Sequence, residues 1–265
     1  MIQNQENCHE NVWILSGTSE GPELANLLIN LNFVVFVSVV SLKASEAYPK
    51  NLKLHIITGR IKDEEEIKKI ILKNNINHVI DATHPFALII SKQLSKACSQ
   101  INKPLYRYER SFKRINLNSI TITDFKDIGD IELKNKNILL AVGSRSLDEI
   151  ARYYIEKKAN VYARIIATPE SIKKGFSSCV KDSNLAILNP SKVKEKFLES
   201  SLCEFWKIDI ILCRDSGGYS QILWEKISSN SPIKLYLLKR PEIVENQFVF
   251  STFEELKKII DINWY

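Results

Sequence analysis

The sequence predicts an α/β fold in which two mainly parallel β-sheets face a central cleft. Short apolar runs alternate with helical patterns along most of the 265 residues, as in chains built from βαβ units. The run Phe33–Val37 is apolar on both faces, which is typical of a central parallel strand. A glycine turn, Ser16–Gly21, separates the first apolar run from the first helical pattern. Because the alternation breaks once and then resumes, the sequence predicts two similar halves, each a Rossmann-like domain.

The first domain is expected to cover residues 1–112. Asp63 followed by Glu66 indicates a helix start with a capping box, and Pro85 suits a first helical position. The predicted strands are Val12–Leu15, Phe33–Val40, Lys53–Ile57, His78–Ile80 and Pro104–Tyr106. The predicted helices are Pro22–Leu31, Glu64–Lys73 and Pro85–Ile101.

Residues 113–137 are expected to be a boundary or linker region, because the alternation breaks into polar pieces around a short strand at Ile120–Thr123. Residues 138–265 are expected to form the second domain. Its predicted strands are Ile138–Val142, Asn160–Ile165, Ala186–Leu188, Ile208–Cys213, Lys234–Leu238 and Phe248–Phe250. Helices are predicted to start at Ser146, Pro169, Pro190 and Tyr219, and a last one after Thr252. The pattern leaves open whether terminal strands cross between sheets.

Composition narrows the class of partner. The net charge is +6, but the lysines are scattered, so we expect no nucleic-acid partner and favour a polyanionic small molecule. The five cysteines form no Cys-x-x-Cys pair and the four histidines form no ligand pairs, which predicts free thiols and no metal site. The longest apolar run, Phe33–Leu42, is too short for a membrane span. We expect a cytoplasmic protein of open oligomeric state.

The turn after the first strand is the first candidate site: Ser16, Gly17, Thr18, Ser19, Glu20 and Gly21. Gly17 permits a tight turn, Gly21 permits close packing of helix on strand, and N–H groups near Thr18 and Ser19 suit a pyrophosphate. Glu20 suits a ribose hydroxyl or only the helix dipole. The residues alone leave three interpretations: a variant dinucleotide loop, another phosphate loop, or a plain turn.

Two further loops of the first half are candidates for the cofactor. Ser41 and Lys43 follow the second strand and suit a 2′-phosphate, which favours NADPH with NADH as the alternative; an ordinary exposed loop is also compatible. Asp81, Ala82, Thr83 and His84 follow the fourth strand, where a Rossmann domain meets the nicotinamide. His84 is the candidate proton donor and Asp81 its candidate orienting group. The alternative is that Thr83 or His84 caps the helix at Pro85.

Arginine-bearing loops are candidates for an anionic substrate. Tyr106 ends the fifth predicted strand, and Arg107 and Arg110 follow it. These residues suit carboxylates and a planar ligand, the alternative being an internal pair with Glu109. In the second half, two loops combine arginine and serine with flexible backbone: Gly143, Ser144 and Arg145, and Arg214, Asp215, Ser216 and Gly217. Asp215 is equally suited to anchoring its own loop.

The motifs together resemble one enzyme family. S-G-T-S-E-G, Gly59-Arg60, D-A-T-H-P-F-A, R-Y-E-R, G-S-R and D-S-G-G, in this order, resemble the precorrin-6A reductase family of corrin biosynthesis. The resemblance implies two Rossmann-like domains and hydride transfer from a reduced nicotinamide cofactor to a tetrapyrrole. It implies reduction of the C18–C19 double bond, giving precorrin-6B or its cobalt form.

On this chain, the resemblance implies that the cofactor loop consists of Gly17, Thr18, Glu20 and Gly21, and that Gly59 also binds the cofactor. It implies that Asp81, Thr83 and His84 lie near the nicotinamide. The carboxylates of the tetrapyrrole would then meet the arginines, namely Arg107, Arg110, Arg145 and Arg214. Two other classes remain as alternatives: a non-catalytic nucleotide-binding or sensing protein with two lobes, and a transferase with two Rossmann-like domains that uses a nucleotide-activated donor.

Overall fold

The computed structural model of the chain describes residues 10–110, 118–130, 133–189, 198–245 and 247–264. Its strands, in chain order, are β1 (Asn11–Ser16), β2 (Val34–Val39), β3 (Leu54–Thr58), β4 (His78–Ala82), β5 (Leu105–Tyr108), β6 (Ile120–Ile122), β7 (Asn137–Ala141), β8 (Asn160–Ile165), β9 (Leu185–Ile187), β10 (Ile210–Arg214), β11 (Lys234–Leu238) and β12 (Phe248–Phe250). Its helices are α1 (Gly21–Asn30), α2 (Leu42–Ser45), α3 (Glu64–Lys73), α4 (Leu88–Gln100), α5 (Leu147–Glu156), α6 (Pro169–Phe176), α7 (Leu198–Phe205), α8 (Tyr219–Ser229) and α9 (Phe253–Asn263). Short 3₁₀ helices cover Phe125–Asp130 and Asp182–Asn184.

The described strands form two parallel sheets, which confirms the predicted α/β class. The first sheet has the order β12-β5-β4-β1-β2-β3, with Ile14 of β1 paired to Val37 of β2 and to Ile80 of β4. Val12, Ile14 and Val35 pack with α1 and α9 on one face, while Trp13 and Leu15 pack with α3 and α4 on the other. The order reverses between β1 and β4, where ligands bind in open α/β sheets.

The second sheet repeats this arrangement with the order β6-β11-β10-β7-β8-β9. Its two central strands are β7 and β10, and between them Leu139 pairs with Ile211 and Leu140 with Leu212. Leu140 and Leu212 belong to one core cluster, and Leu139 and Ile211 to the cluster on the opposite face. The strand order reverses between β7 and β10, so this unit has its own candidate binding edge.

The division of the chain corrects the expected domains. One unit comprises Met1–Ser111 with Pro241–Tyr265, and the other comprises Phe112–Arg240. The expected second domain, 138–265, therefore loses its C-terminal part, because β12 pairs with β5 in the first sheet. The expected linker, 113–137, contains β6, which pairs with β11 in the second sheet. Each sheet thus gains one edge strand, β6 or β12, from a segment outside its run of βαβ units. Tertiary packing, and not the local sequence pattern, determines which sheet such a strand joins.

The C-terminal segment is held to the first unit by aromatic packing. Trp264 stacks on His78 with ring centroids 3.8 Å apart, and its indole N–H donates to the Tyr106 hydroxyl at 2.8 Å. Trp264 also meets Phe33 edge-to-face at 5.3 Å. Tyr106 is consequently buried in this cluster, and its expected contact with the substrate stays a prediction.

Most predicted helix starts agree with the structure. Asp63 accepts a hydrogen bond from the backbone N–H of Glu66 at 2.9 Å, and Thr168 and Thr252 cap α6 and α9 in the same way. The predicted start at Pro85 is wrong, because α4 begins at Leu88 after a turn closed by a 2.8 Å bond from Ala87 N–H to the His84 carbonyl. The predicted start at Pro190 lies outside the described residues.

The described residue ranges contain no candidate membrane-spanning helix and no disulfide bond. No helix there is long and apolar enough to cross a bilayer. The four cysteines located there, Cys98, Cys179, Cys203 and Cys213, are free thiols. Burial raises the pKa of Cys98 and of Cys203 to about 12, so these two groups stay protonated. No set of three or more His, Cys, Asp or Glu side chains in these ranges is arranged to hold a metal ion.

Candidate functional site

The turn after β1 and the turn after β4 meet at the reversal point of the first sheet. The Gly17 N–H and the Thr18 hydroxyl both donate to the Ala82 carbonyl, at 3.3 and 3.2 Å. A Cβ built on Gly17 would lie 3.3 Å from both Thr83 Cα and His84 N. Because those neighbours are backbone atoms, glycine is the residue that lets the two turns approach this closely. The structure thus brings the two candidate motifs Ser16–Gly21 and Asp81–Ala87 together.

The N-terminus of α1 offers donors for an anion. Within residues 10–110, no hydrogen bond engages the backbone N–H of Thr18 or of Ser19. Thr18 is half-buried and Ser19 is exposed. Adjacent N–H donors that no described residue accepts from, at the positive end of a helix, suit a phosphate. The donor set and the glycine-limited turn therefore fit a dinucleotide pyrophosphate.

Gly21 fixes the packing of α1 on the sheet. A Cβ built there would lie 2.1 Å from Ser16 Oγ and 2.2 Å from the Tyr48 hydroxyl oxygen. Ser16 and Tyr48 thus pack closely around Gly21, the first residue of α1. The contact that the structure shows for Ser16 is this packing.

We expect Gly21→Ala to lower the free energy of unfolding by about 1–3 kcal/mol, the usual range for an overpacked contact. Urea titration measures the loss. Adding Tyr48→Phe should recover part of it by removing one of the two oxygens that the new Cβ meets. Gly129→Ala is the matched control, because a Cβ at Gly129 meets nothing within 4 Å. A Gly21→Ala protein as stable as the wild type would show that Ser16 and Tyr48 move aside at little cost.

Glu20 and Arg110 form an ion pair beside this turn. Arg110 NH2 lies 2.5 Å from Glu20 Oε2, and the two side chains are 10% and 20% exposed. Burial alone raises the pKa of Glu20, but the hydrogen bond and positive charge of Arg110, together with hydrogen bonds from Thr18 and the backbone, hold that pKa below its ordinary value. Arg110 therefore lies at the turn after β1, although the sequence grouped it with the substrate arginines.

Asp81 is buried beneath the second turn. Its Oδ1 accepts from the Thr83 hydroxyl at 2.6 Å and from Thr83 N–H at 3.0 Å, and its Oδ2 accepts from the Ser91 hydroxyl at 2.6 Å. Arg107 NH1 lies 2.8 Å from Oδ1. Asp81 is fully buried, so its carboxylate fixes the turn from below. Ser91 was missed by sequence reasoning, although a serine on the buried face of an apolar helix was a usable signal.

These contacts correct two expectations about the turn after β4. The hydrogen bonds to Asp81 come from Thr83, Ser91 and Arg107, so Asp81 does not orient the His84 ring. Neither Thr83 nor His84 caps α4, whose N-cap is Ala87 without a side-chain bond. Instead, His84 Nδ1 accepts from the backbone N–H of Phe86 at 3.2 Å. In neutral His84 this bond places the proton on Nε2.

Arg107 is an internal ion-pair partner, as the alternative interpretation of the sequence expected. It is 4% exposed. Besides Asp81, its Nε donates to Glu109 at 3.2 Å and its NH1 to the Thr83 hydroxyl at 3.2 Å. The alternative of an internal Arg–Glu pair therefore describes Arg107.

The other expected cofactor residues lie at the carboxyl ends of β2 and β3. Ser41 Oγ accepts from Ala44 N–H at 3.2 Å and caps α2, a short helix that the sequence did not predict. Lys43 is exposed on α2. Gly59 is exposed after β3 with φ of +129°, a conformation that favours glycine. In a parallel sheet these ends share one edge with the turn after β1.

In the second unit, the predicted loops meet after β7 and β10. Gly143 has φ of +78°, and a Cβ built on it would lie 3.2 Å from Arg214 NH1. Arg214 NH2 donates to the Ser146 hydroxyl at 3.0 Å. Ser144 Oγ lies 3.2 Å from Ser171 Oγ on α6. The structure thus assembles arginine and hydroxyl groups from separate loops at the reversal point of this sheet.

The charges at this edge favour an anion. Burial, and then the positive charge of Arg145, lower the pKa of Arg214. Arg145 is exposed, and within the described ranges no ion pair joins it to a carboxylate. Two neighbouring guanidinium groups repel each other, so a bound carboxylate would stabilise both.

Asp215 anchors its own loop, as one of the two sequence interpretations held. Its Oδ1 accepts from Gln221 Nε2 at 3.0 Å, and Gln221 Oε1 accepts from Gly217 N–H at 2.7 Å. Ser216 Oγ accepts from Gly218 N–H at 3.4 Å. Gln221 is 1% exposed and was missed, although a glutamine in the first turn of a predicted helix was a signal for such a loop contact. Asp215, Ser216 and Gly217 therefore shape the loop that carries Arg214.

Comparisons with known proteins agree with the motifs. A family model described as precorrin-6x reductase CbiJ/CobK matches residues 11–261. Cobalt-precorrin-6A reductase of Synechocystis sp. is 24% identical over 89% of this chain and 90% of the relative. The enzyme of the same name from Methanocaldococcus jannaschii is 26% identical over 94% of this chain and 98% of the relative.

A solved structure shows the same fold. CobK precorrin-6A reductase superposes with a TM-score of 0.72 at 19% identity, covering 95% of this chain and 96% of that one. The resemblance seen in the motifs is confirmed by the family match, which extends over both units. The chain therefore belongs to the precorrin-6x reductase family CbiJ/CobK, a family of oxidoreductases of cobalamin biosynthesis.

Proposed function

We propose that this chain reduces the C18–C19 double bond of precorrin-6A or cobalt-precorrin-6A with NADPH, giving the corresponding precorrin-6B. The observation that carries the proposal is the family match over residues 11–261, together with the joined turns after β1 and β4. When bound, a reduced nicotinamide would supply the hydride for one ring carbon, and a proton added to the neighbouring carbon would complete the reduction.

On the cofactor side, the first unit binds and orients. The N–H groups of Thr18 and Ser19 hold the pyrophosphate at the N-terminus of α1, with Gly17 and Gly21 allowing the approach. Thr83, which the buried Asp81 holds in place, and His84 would contact the nicotinamide end. The adenosine end would lie beside Ser41, Lys43 and Gly59. The Lys43 ammonium would favour NADPH over NADH because it can pair with the 2′-phosphate.

On the substrate side, the second unit supplies cations. Arg145 and Arg214 pair with carboxylates of the tetrapyrrole, while Gly143 and Ser144 shape the loop that carries Arg145. The relatives from Synechocystis sp. and M. jannaschii are both named for cobalt-precorrin-6A, which favours the cobalt form as substrate.

One assay tests the proposal. The protein is mixed anaerobically with NADPH and either precorrin-6A or its cobalt form, and the nicotinamide absorbance is followed. Oxidation that requires both the protein and the tetrapyrrole is the expected result, and NADH in parallel measures the coenzyme preference. Absence of oxidation with both tetrapyrroles and both coenzymes would contradict the proposed function.

His84 is the proposed proton donor, through its Nε2–H. We expect His84→Ala to lower kcat by about 100-fold, the lower range for removal of a general acid. Titration of NADPH into the variant should give a nearly unchanged Kd, because proton donation acts after binding. His55→Ala is the control, since His55 is exposed on the edge strand β3. Turnover close to that of the wild type would mean that water supplies the proton.

A further inference from the structure

Glu20 places a negative charge where the proposed coenzyme carries its phosphates. It is the residue at the N-cap of α1, and its side chain makes no capping hydrogen bond there. The Ser19 hydroxyl donates to Glu20 Oε2 at 3.2 Å, so the carboxylate lies against the same turn as the Thr18 and Ser19 N–H groups. A bare carboxylate at this position would repel a pyrophosphate.

Arg110, which follows another strand of the first sheet, places a positive charge beside the Glu20 carboxylate. It follows β5, 90 residues further along the chain, and its NH2 lies 2.5 Å from Glu20 Oε2. Both side chains are largely buried, so solvent screens the pair less than it screens a surface ion pair. The neighbouring arginine, Arg107, is already engaged by Asp81 and Glu109. Among the residues that the structure describes, Arg110 is thus the cation in contact with Glu20.

We propose that Arg110 is a positioning residue for the coenzyme: it neutralises Glu20 and thereby lets the N-terminus of α1 accept the pyrophosphate. This inference rests on the proposed function of the first unit. It moves Arg110 from the substrate arginines, where sequence reasoning put it, to the cofactor side. It requires no direct contact between Arg110 and the coenzyme, since the effect passes through the charge of Glu20.

The electrostatic role predicts an order of affinities. In Arg110→Met the carboxylate is left uncompensated, so NADPH binding should weaken by about tenfold or more. In Glu20→Gln the cation is left uncompensated, so binding should tighten several-fold. The double variant carries neither charge and should recover most of the loss seen in Arg110→Met. A purely structural role of the pair would instead make all three variants bind more weakly.

Calorimetric titration of NADPH into the full chain tests this order, with Arg152→Met as the control. Arg152 also pairs with a carboxylate, but it is exposed on α5 of the other unit and its loss should leave the Kd unchanged. Added NaCl should narrow the gap between Arg110→Met and wild type, because salt screens the repulsion. Arg110→Lys, which keeps the charge, should bind closer to wild type than Arg110→Met, and a thermal melt of each variant verifies folding.

The outcomes separate the inference from the function beneath it. If the wild-type chain binds neither NADPH nor NADH, the proposed function fails and the inference fails with it. If the wild type binds and Arg110→Met binds equally well, only the inference is overturned. The inference is also overturned if the double variant is as weak as Arg110→Met, because Arg110 would then act on the ligand or the fold and not through Glu20.

Discussion

Replacement of Arg107 by methionine is expected to lower the free energy of unfolding of the first unit by about 3–5 kcal/mol, the usual cost of breaking a buried ion pair from one side. Arg107 and Asp81 are 4% and 0% exposed, so the variant leaves a carboxylate in the core without its cation. Hydrogen exchange in increasing urea measures the loss by unit, because peptides from β4 and β5 report on one sheet and peptides from β7 and β10 on the other.

A double variant distinguishes the ion pair from simple packing. Asp81→Asn added to Arg107→Met removes the uncompensated charge, so we expect the double variant to be more stable than Arg107→Met alone. Arg152→Met is the matched control: its pair with Asp148 is exposed, and its loss should cost less than about 1 kcal/mol. If Arg107→Met keeps wild-type stability and instead raises the KM for the tetrapyrrole, the sequence interpretation of Arg107 as a substrate contact would be right.

The fold was largely predictable because hydrophobic alternation is a local signal. Strands β8, β11 and β12 and helix α3 have the predicted bounds, and the remaining predicted strands differ by a few residues at their ends. The domain division was not predictable in the same way. A three-residue strand such as β12 carries no local information about which sheet edge it joins, and here the packing of Trp264 on His78 accompanies its place in the first sheet.

The candidate site, like the fold, was only partly predictable from the sequence. Which turns would meet followed from the rule that ligands bind where strand order reverses, and the structure joins Gly17 to Ala82 and Gly143 to Arg214. What each charged side chain does inside those turns depended on its partner in three dimensions. Arg107 and Arg214 each follow a predicted strand and look alike in sequence. Asp81 and Glu109 lie against the first, whereas the positive charge of Arg145 acts on the second.

That difference predicts an effect on binding for Arg214. We expect Arg214→Met to raise the Kd of the tetrapyrrole substrate by about 10- to 100-fold, which corresponds to the loss of a charge-assisted hydrogen bond. The Kd of NADPH should not change, because Arg214 lies at the end of β10 in the second unit. Quenching of tryptophan fluorescence during titration with each ligand measures both constants on one protein.

Three comparisons decide whether the guanidinium of Arg214 itself binds the substrate. Arg214→Lys keeps a charge but loses the planar fork, so its Kd should lie between those of wild type and Arg214→Met. Arg145→Met should have a smaller effect than Arg214→Met, because Arg145 is exposed and its interactions are screened. Arg152→Met, from the same unit, should bind as wild type does. An Arg214→Met protein that folds and binds the tetrapyrrole with unchanged Kd would place the substrate carboxylates away from this edge of the second sheet.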